Sequence, residues 1–527
     1  MPHNGDIQKI IYFGDSMTDG GALNALTLRL LTQPFPLESF GYSTRITNGQ
    51  NYADVTPALL GAETENFAFG GARAIGVRPL GEAVDPGVAG AFLVDDPDPA
   101  DLALDINLGG QVQRFLSTLG PEGAAPGTAA SIFIGLNDFN RFEPTDPANI
   151  EAEAAALAAG VAGATLGAAA TLAAAGVETI IINTLPAPSI FPSFKFAPPL
   201  IQAVGDQVIG QYNDALTAQA QGLEALGVEV KIVDLAAIAG EVAADPSAFG
   251  FATVTEQLYF GTAADPIIID GPEGPVPFFP SNPAVDGLTL DQIAFIDLFH
   301  PTEALHETFG VFSAESLTSD VAILSDERDV EIGTRADDLV LAKGGDDVLF
   351  LRKGDDVALG GTGDDKIIAG RGSDIASGGA GNDKIFGGRG DDVVAGGDGD
   401  DFLKGGRGDD AIIDGLGADI AFGGRGNDVF FFTEASLAFG EQEGTDLFFG
   451  GRGHDTLVLS LTEETLAEIG DDLACFHGGA LWLEEIGLKA FGFESVVIAD
   501  PADPAFAADP GGDLGDRLVE AELWGFV

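Results

Sequence analysis

The chain has 527 residues, too many for one ordinary core, so two or more domains are expected. It carries 83 acidic against 24 basic residues, a formal net charge of -59. That balance argues against nucleic acid and anionic membrane surfaces as partners. One cysteine, Cys475, excludes an intramolecular disulfide.

The first 320 residues alternate apolar strands with helical stretches. A short run, Lys9-Ile10-Ile11-Tyr12-Phe13, reads as a buried strand and delivers Gly14-Asp15-Ser16-Met17 to its end. Nothing before it combines a basic stretch, an apolar core and a cleavage site, so no cleavable export leader is expected. Further strands are predicted near Glu65–Ala68, Ser131–Gly135, Thr179–Asn183 and Val228–Val233. Helices are predicted at Gln111–Leu116, Ile150–Ala175, Leu200–Leu226 and Thr302–Leu317. This order points to an α/β domain, a parallel sheet covered by helices on both faces. The uncharged run Ala154–Val177 is long enough to span a bilayer, but it is mostly Ala and Gly and reads as a packed helix. Phe/Pro-rich loops carry Phe191, Phe194, Phe196, Phe278 and Phe279, which either line an acyl-chain pocket or pack locally.

Four separated blocks fit one chemistry. They are Gly14-Asp15-Ser16, Asn66–Ala72, Gly135-Leu136-Asn137-Asp138 and Asp297-Leu298-Phe299-His300. A serine needs a base for its proton and donors for the oxyanion that it creates. His300, three residues after Asp297, can offer one ring nitrogen to that aspartate and the other to Ser16. Asn137 can donate from its amide, and Gly71 lets a backbone N–H approach closely.

These blocks resemble the GDSL, or SGNH, serine hydrolase family, in the subgroup of plant lipases and phospholipase/haemolysin-like esterases. Asn107–Val112 and Gly250–Thr255 extend the likeness. The resemblance implies a three-layer α/β/α fold with flavodoxin-like strand order. It makes Ser16 the nucleophile, His300 the general base and acid, and Asp297 its orienting partner. The Ser16 and Gly71 N–H groups and the Asn137 side chain would form the oxyanion hole. Met17 stands where that family usually has Leu, an apolar exchange of little expected consequence.

After a polar stretch at 321–332, expected as a linker, the character changes. Asp recurs every nine residues from Asp338, through Asp347, Asp356, Asp365, Asp374 and Asp383. It continues at Asp392, Asp401, Asp410, Asp419 and Asp428, and after a break returns in phase at Asp446 and Asp455. Glycine stands two residues before, and a mostly apolar residue two after, nearly all of these aspartates. Two nine-residue units make one coil, and aspartates stacked roughly 4.8 Å apart repel unless a cation lies among them. Ca²⁺, with its six to eight mixed oxygen ligands, fits. Matches such as Gly378–Ile385 and Gly387–Val394 resemble the RTX nonapeptide array, an all-β parallel β-roll. Its first turns are imperfect, and weaker calcium sites are expected there. The resemblance implies several structural Ca²⁺ ions, no catalytic metal, and export to the extracellular space by a type I secretion apparatus. Three parts are expected: a hydrolase domain at 1–322, the repeats at 333–459, and a terminal cap with an export signal at 460–527.

The sequence as a whole reads as a secreted, calcium-stabilised esterase or lipase, with phospholipase A-like substrates among those expected. A carbohydrate O-acetyl esterase, or a surface adhesin with an idle hydrolase domain, are the alternatives.

Overall fold

The structure, a computed structural model, describes residues 7–15, 17–19, 50–69, 72–76, 105–139, 149–192, 199–244, 251–257, 267–271, 274–278, 293–295, 301–433, 445–462 and 478–499, apart from 484 and 485, with a few single positions besides. Two compact units result, one from residues 1–240 and 252–317, the other from 241–251 and 318–527.

The first unit is a three-layer α/β/α sandwich on a five-stranded parallel sheet. Its strands are β1 (Lys9–Gly14), β2 (Glu63–Asn66), β3 (Thr128–Phe133), β4 (Thr179–Asn183) and β5 (Glu229–Val233), in the order β2-β1-β3-β4-β5. β3 and β4 are buried along their whole length, as strands covered on both faces must be. Strand order reverses between β1 and β3, so a crevice is expected at their carboxyl ends.

Helices fill the crossovers. α1 (Tyr52–Leu59) starts at Asn51, whose side chain accepts from the Ala53 N–H, while Asp54 accepts from the Asn51 N–H at 3.0 Å. α2 spans Leu108–Thr118, α3 Ile150–Ala174, α4 Pro199–Ala220, α5 Leu235–Ala244 and α6 Glu303–Thr318. By length and composition α3 could cross a membrane. Its buried residues Ala154, Ala158, Val161, Ala162, Thr165, Ala169 and Leu172 instead follow helical spacing along one stripe, and it packs on β3, β4 and α4. α1 and α5 were not expected from the sequence, because both are short.

The second unit is a roll of two nine-stranded sheets. One runs from Asp320–Ile323 through Asp338–Leu341 and Val357–Thr362 to Ser495–Ala499. The other begins at Val330–Ile332 and Val348–Phe350 and ends with Leu488–Phe493 and the antiparallel Gly479–Leu483. Partners lie eighteen residues apart, as in Val393↔Ala411 and Ile367↔Ile385. Between Phe422 and Phe449 the step is twenty-seven, so the break in the repeat inserts nine residues without losing register. The 321–332 stretch is not a free linker: Val321 pairs with Leu339 and Val330 with Val348. In its middle turns the core takes one residue from each strand, a file of Ala358, Ile367, Ala376, Ile385, Val394 and Leu403, and toward the ends it takes two, as at Val340 and Ala342 or Phe430 and Phe432.

Candidate functional site

The end of β1 is fixed by Gln111 of α2, a fully buried side chain. Its Oε1 accepts the Gly14 N–H at 2.9 Å, and its Nε2 donates to the Gly14 carbonyl at 2.7 Å. Gly14 must be glycine, since a Cβ there would sit 2.5 Å from the Phe133 carbonyl of β3. Beyond it, the buried Asp15 accepts the Met17 N–H at 3.2 Å. Met17 is itself buried, in keeping with an apolar requirement there. Ser16 lies between them and outside the described residues.

The loop after β2 is tied to this turn. Asn66 donates to the Thr18 carbonyl at 2.6 Å and accepts from the Ala68 N–H at 2.9 Å. Asn107 takes the next segment, accepting the Arg73 N–H at 2.9 Å and donating to the Ile75 carbonyl at 3.0 Å. The Asn107–Val112 block is therefore the brace of two loops. Gly70 and Gly71 lie outside the described residues.

After β3, Gly135 adopts φ 133°, and a single helical turn, Leu136–Phe139, carries the half-buried Asn137. The next residue, Asp138, is buried and reaches the β2 loop: its carboxylate accepts the Ala74 N–H at 2.7 Å. Burial pushes the Asp138 carboxyl up to about 6, against the pull of the Ala74 and Ile75 N–H groups and Arg73. No role for Asp138 is legible in the sequence, because its partner is 64 residues away.

The fourth block lies in sequence between the short strand Ile293–Phe295 and α6. Asp297 and His300 lie outside the described residues, but both ends of their loop are held. Phe295 bridges to Pro301, and Thr302 donates its N–H to the Ala294 carbonyl at 2.9 Å and its hydroxyl to the Ile293 carbonyl at 2.7 Å. α6 then packs tightly on α1, where a Cβ at Gly310 would meet Val55 at 2.4 Å. His306, the other histidine of this region, is buried and stacks on Tyr52 with centroids 6.5 Å apart. The Tyr52 hydroxyl shares a hydrogen bond with Thr18 at 3.2 Å, which closes the circuit back to the Ser16 turn.

Of the loop phenylalanines, Phe191 packs on Phe295, centroids 5.6 Å apart, and Phe194 lies over Gly205, so both serve local packing. Phe196 and Phe279, and the side chain of Phe278, lie outside the described residues.

In the roll, each ladder aspartate is buried, and from Asp347 to Asp428 its Oδ1 accepts the backbone N–H of the aspartate eighteen residues before it, a step that becomes twenty-seven at Asp446 and Asp455. Asp356 Oδ1 takes the Asp338 N–H at 2.9 Å, and Asp410 Oδ1 takes the Asp392 N–H at 3.0 Å. The preceding, outward position forms a second ladder of opposite sense, as where Asp391 Oδ1 accepts the Asp409 N–H at 2.8 Å. The sequence reading missed this second ladder.

The remaining oxygen decides what the roll can hold. Oδ2 of Asp356, Asp365, Asp401, Asp410, Asp419 and Asp428 is buried without a hydrogen-bond partner. A Cβ on Gly360 would lie 2.5 Å from both Asp365 Oδ2 and the Gly378 carbonyl. Two acceptors thus lie beside one point, an arrangement suited to a cation or, without one, to a proton on the carboxylate. Burial first, and neighbouring carboxylates next, raise Asp365 to about 7 and Asp356 to about 8. Among the described residues no three acidic, His or Cys side chains surround one point. An ion here takes most of its oxygens from backbone, which suits Ca²⁺. The first turns differ: Lys343 and Arg352 hold φ 72° and 76° where the later turns have Gly361 and Gly370.

Comparison with curated proteins finds no match. The family model of the RTX calcium-binding nonapeptide repeat matches four times, at 332–367, 359–394, 395–430 and 442–457. These are calcium-binding repeats, and their Ca²⁺ is structural. The model of the GDSL-like Lipase/Acylhydrolase family matches residues 10–310, more than half of the chain. A parallel sheet whose first and third strands end in braced loops, together with that match, makes the chain a member of the GDSL-like lipase/acylhydrolase family.

Proposed function

We propose that the protein is an extracellular serine hydrolase of carboxylic esters, acting through an acyl-enzyme. Ser16 Oγ attacks the ester carbonyl while His300, oriented by Asp297, takes its proton. The Ser16 and Gly71 N–H groups and the Asn137 amide hold the tetrahedral oxyanion. His300 then returns the proton to the departing alcohol, and a water activated by the same imidazole releases the acid. One observation carries this reading. The loops that hold three of the blocks leave adjacent strand ends at the β1/β3 reversal, hydrogen-bonded to one another through Asn66, Gln111 and Asp138. The neck of the fourth is anchored to the same turn through Tyr52.

In the roll, the ligand aspartates in this reading are Asp347, Asp356, Asp365, Asp374, Asp383, Asp392, Asp401, Asp410, Asp419, Asp428, Asp446 and Asp455. Repeats of this type are characteristic of secreted proteins, and export through a type I apparatus agrees with them.

The test is covalent labelling by an organophosphonate, located by mass spectrometry, beside turnover of an ester panel from acetyl to long acyl and phospholipid. Label at Ser16, and loss of several orders of magnitude in turnover in Ser16→Ala, are expected. Label elsewhere, or a Ser16→Ala protein that still turns over normally, rules the mechanism out.

A further inference from the structure

The two sheets of the roll differ on their outer faces. In the sheet that contains Lys366–Arg371 and Lys384–Arg389, the inward residues form the core, and the residues on either side of them point outward in two registered columns. One column runs from Val330 to Lys489, the other from Ile332 to Phe491. Phe386, Phe402, Phe422, Phe449 and Phe491 form a continuous chain of rings, with centroid separations of 5.8, 5.6, 4.8 and 5.2 Å. Val330, Ile332, Ile420 and Trp482 on the same face are exposed. These four are nearly half of the nine exposed large hydrophobic residues among the described residues. Nine strands at the usual spacing make the face about 38 Å long. An apolar surface of that extent marks an interaction site.

Its charge is also unlike the rest of the chain. Of the twelve basic residues in 333–459, eight lie on strands of this sheet, and the strands of the other nine-stranded sheet carry none. Lys366, Lys384 and Lys404 are exposed among the rings. Arg371, Arg389, Arg407, Arg425 and Arg452 occupy equivalent strand ends as a column along one margin. Outward aspartates lie at both margins, Asp364 and Asp400 ahead of the strands and Asp391 and Asp409 just after the arginines, and each accepts a backbone N–H of the next coil.

We propose that this face docks on the surface of an anionic phospholipid bilayer. Phe, Ile and Val offer hydrocarbon and no hydrogen bond, which suits the acyl boundary and not the hydroxyls of a polysaccharide. In docking, the charged ends of the lysines among the rings and of the arginines at the margin would meet lipid phosphates. A second copy of the chain is a poorer occupant, since face-to-face packing brings lysine columns together. The net charge of -59 does not prevent docking: the Debye length is about 8 Å at physiological ionic strength, so the facing charges dominate. The proposal is independent of the Ser16 reading and is tested without turnover.

The experiment is sedimentation of the calcium-loaded full chain with vesicles of phosphatidylglycerol and phosphatidylcholine, or of phosphatidylcholine alone. Binding to the anionic vesicles is expected. The Lys384→Glu/Lys404→Glu pair should reduce it by at least about tenfold, with circular dichroism in Ca²⁺ unchanged. Phe422→Ser/Phe449→Ser should do the same, and the lysine pair decides if that variant folds poorly. No binding to anionic vesicles, or binding that neither pair alters, overturns the proposal. So does a two-chain mass by light scattering that the Phe422/Phe449 pair returns to one chain, or binding of an acidic polysaccharide in place of lipid.

Discussion

Asp138 accepts the Ala74 N–H at 2.7 Å and so joins the turn after β3 to the loop after β2. In the proposed mechanism those two segments supply Asn137 and Gly71, the two oxyanion donors that do not come from the nucleophile's own residue. In that mechanism their separation is set by a buried carboxylate that is not itself one of the oxyanion donors.

Asp138→Ala should therefore lower kcat by ~10- to 100-fold, the usual cost of small misplacements of catalytic groups, and leave KM nearly unchanged. Asp138→Asn keeps one acceptor oxygen and should recover part of the loss. Steady-state kinetics on a soluble ester checks both. An equal rise in KM with kcat intact would make Asp138 a determinant of substrate binding.

Arg352 holds φ 76° at a place where its counterpart one coil later is Gly370. The left-handed conformation costs a non-glycine residue about 1–2 kcal/mol, part of which the greater chain entropy of glycine gives back. Arg352→Gly should stabilise the roll by about 0.5–1 kcal/mol, read as a higher denaturation midpoint in saturating Ca²⁺. A lower midpoint would mean that the side chain does more than occupy a turn.

Gly405 makes a separate point, because space and not backbone freedom constrains it. A Cβ there would lie 2.5 Å from Asp410 Oδ2. Gly405→Ala should displace that carboxylate and weaken calcium binding at its turn by ~10-fold, as loss of a ligand's support commonly does. Titration calorimetry should show the affinity change in a subset of sites. Identical isotherms would remove Asp410 from the ligand set.

Metal-free protein should respond to pH in the direction opposite to most acidic proteins. Burial and mutual repulsion raise Asp365 and Asp428 to about 7, Asp356 and Asp419 to about 8, and Asp401 and Asp410 to about 9. In an unfolded chain these groups titrate near ~3.9. The folded state therefore binds more protons, and its stability is fully present below about pH 4 and is lost as pH rises through 7 to 9. Calcium-stripped protein should keep the β-structure of its roll at pH 4 and lose it by pH 9, and Ca²⁺ should restore it at pH 9. Far-UV circular dichroism of the calcium-free chain, against a calcium-loaded control, gives the answer. Stability that rises with pH in the metal-free chain would show that the buried carboxylates are not what limits the fold.

The sequence by itself determined what is local or periodic. The apolar run before Gly14, the strand–helix alternation and the nine-residue recurrence of Asp each repeat one physical requirement over a short span. They carried the fold class, the calcium dependence and the four blocks. The 321–332 stretch misled because its strands are three or four residues long and gain stability only from partners eighteen residues on. Long-range, shape-dependent contacts are not legible along the chain. Gln111 meets Gly14 across 97 residues and Asp138 meets Ala74 across 64, and neither pair has a sequence spacing that announces it. The outer face of the roll makes the same point with charge. Along the chain its lysines and arginines vanish in an excess of aspartate, because composition averages over every direction. The coil turns the aspartates inward or to the margins and gathers the cations and phenylalanines on one side, because each eighteen-residue repeat returns the same position to the same face.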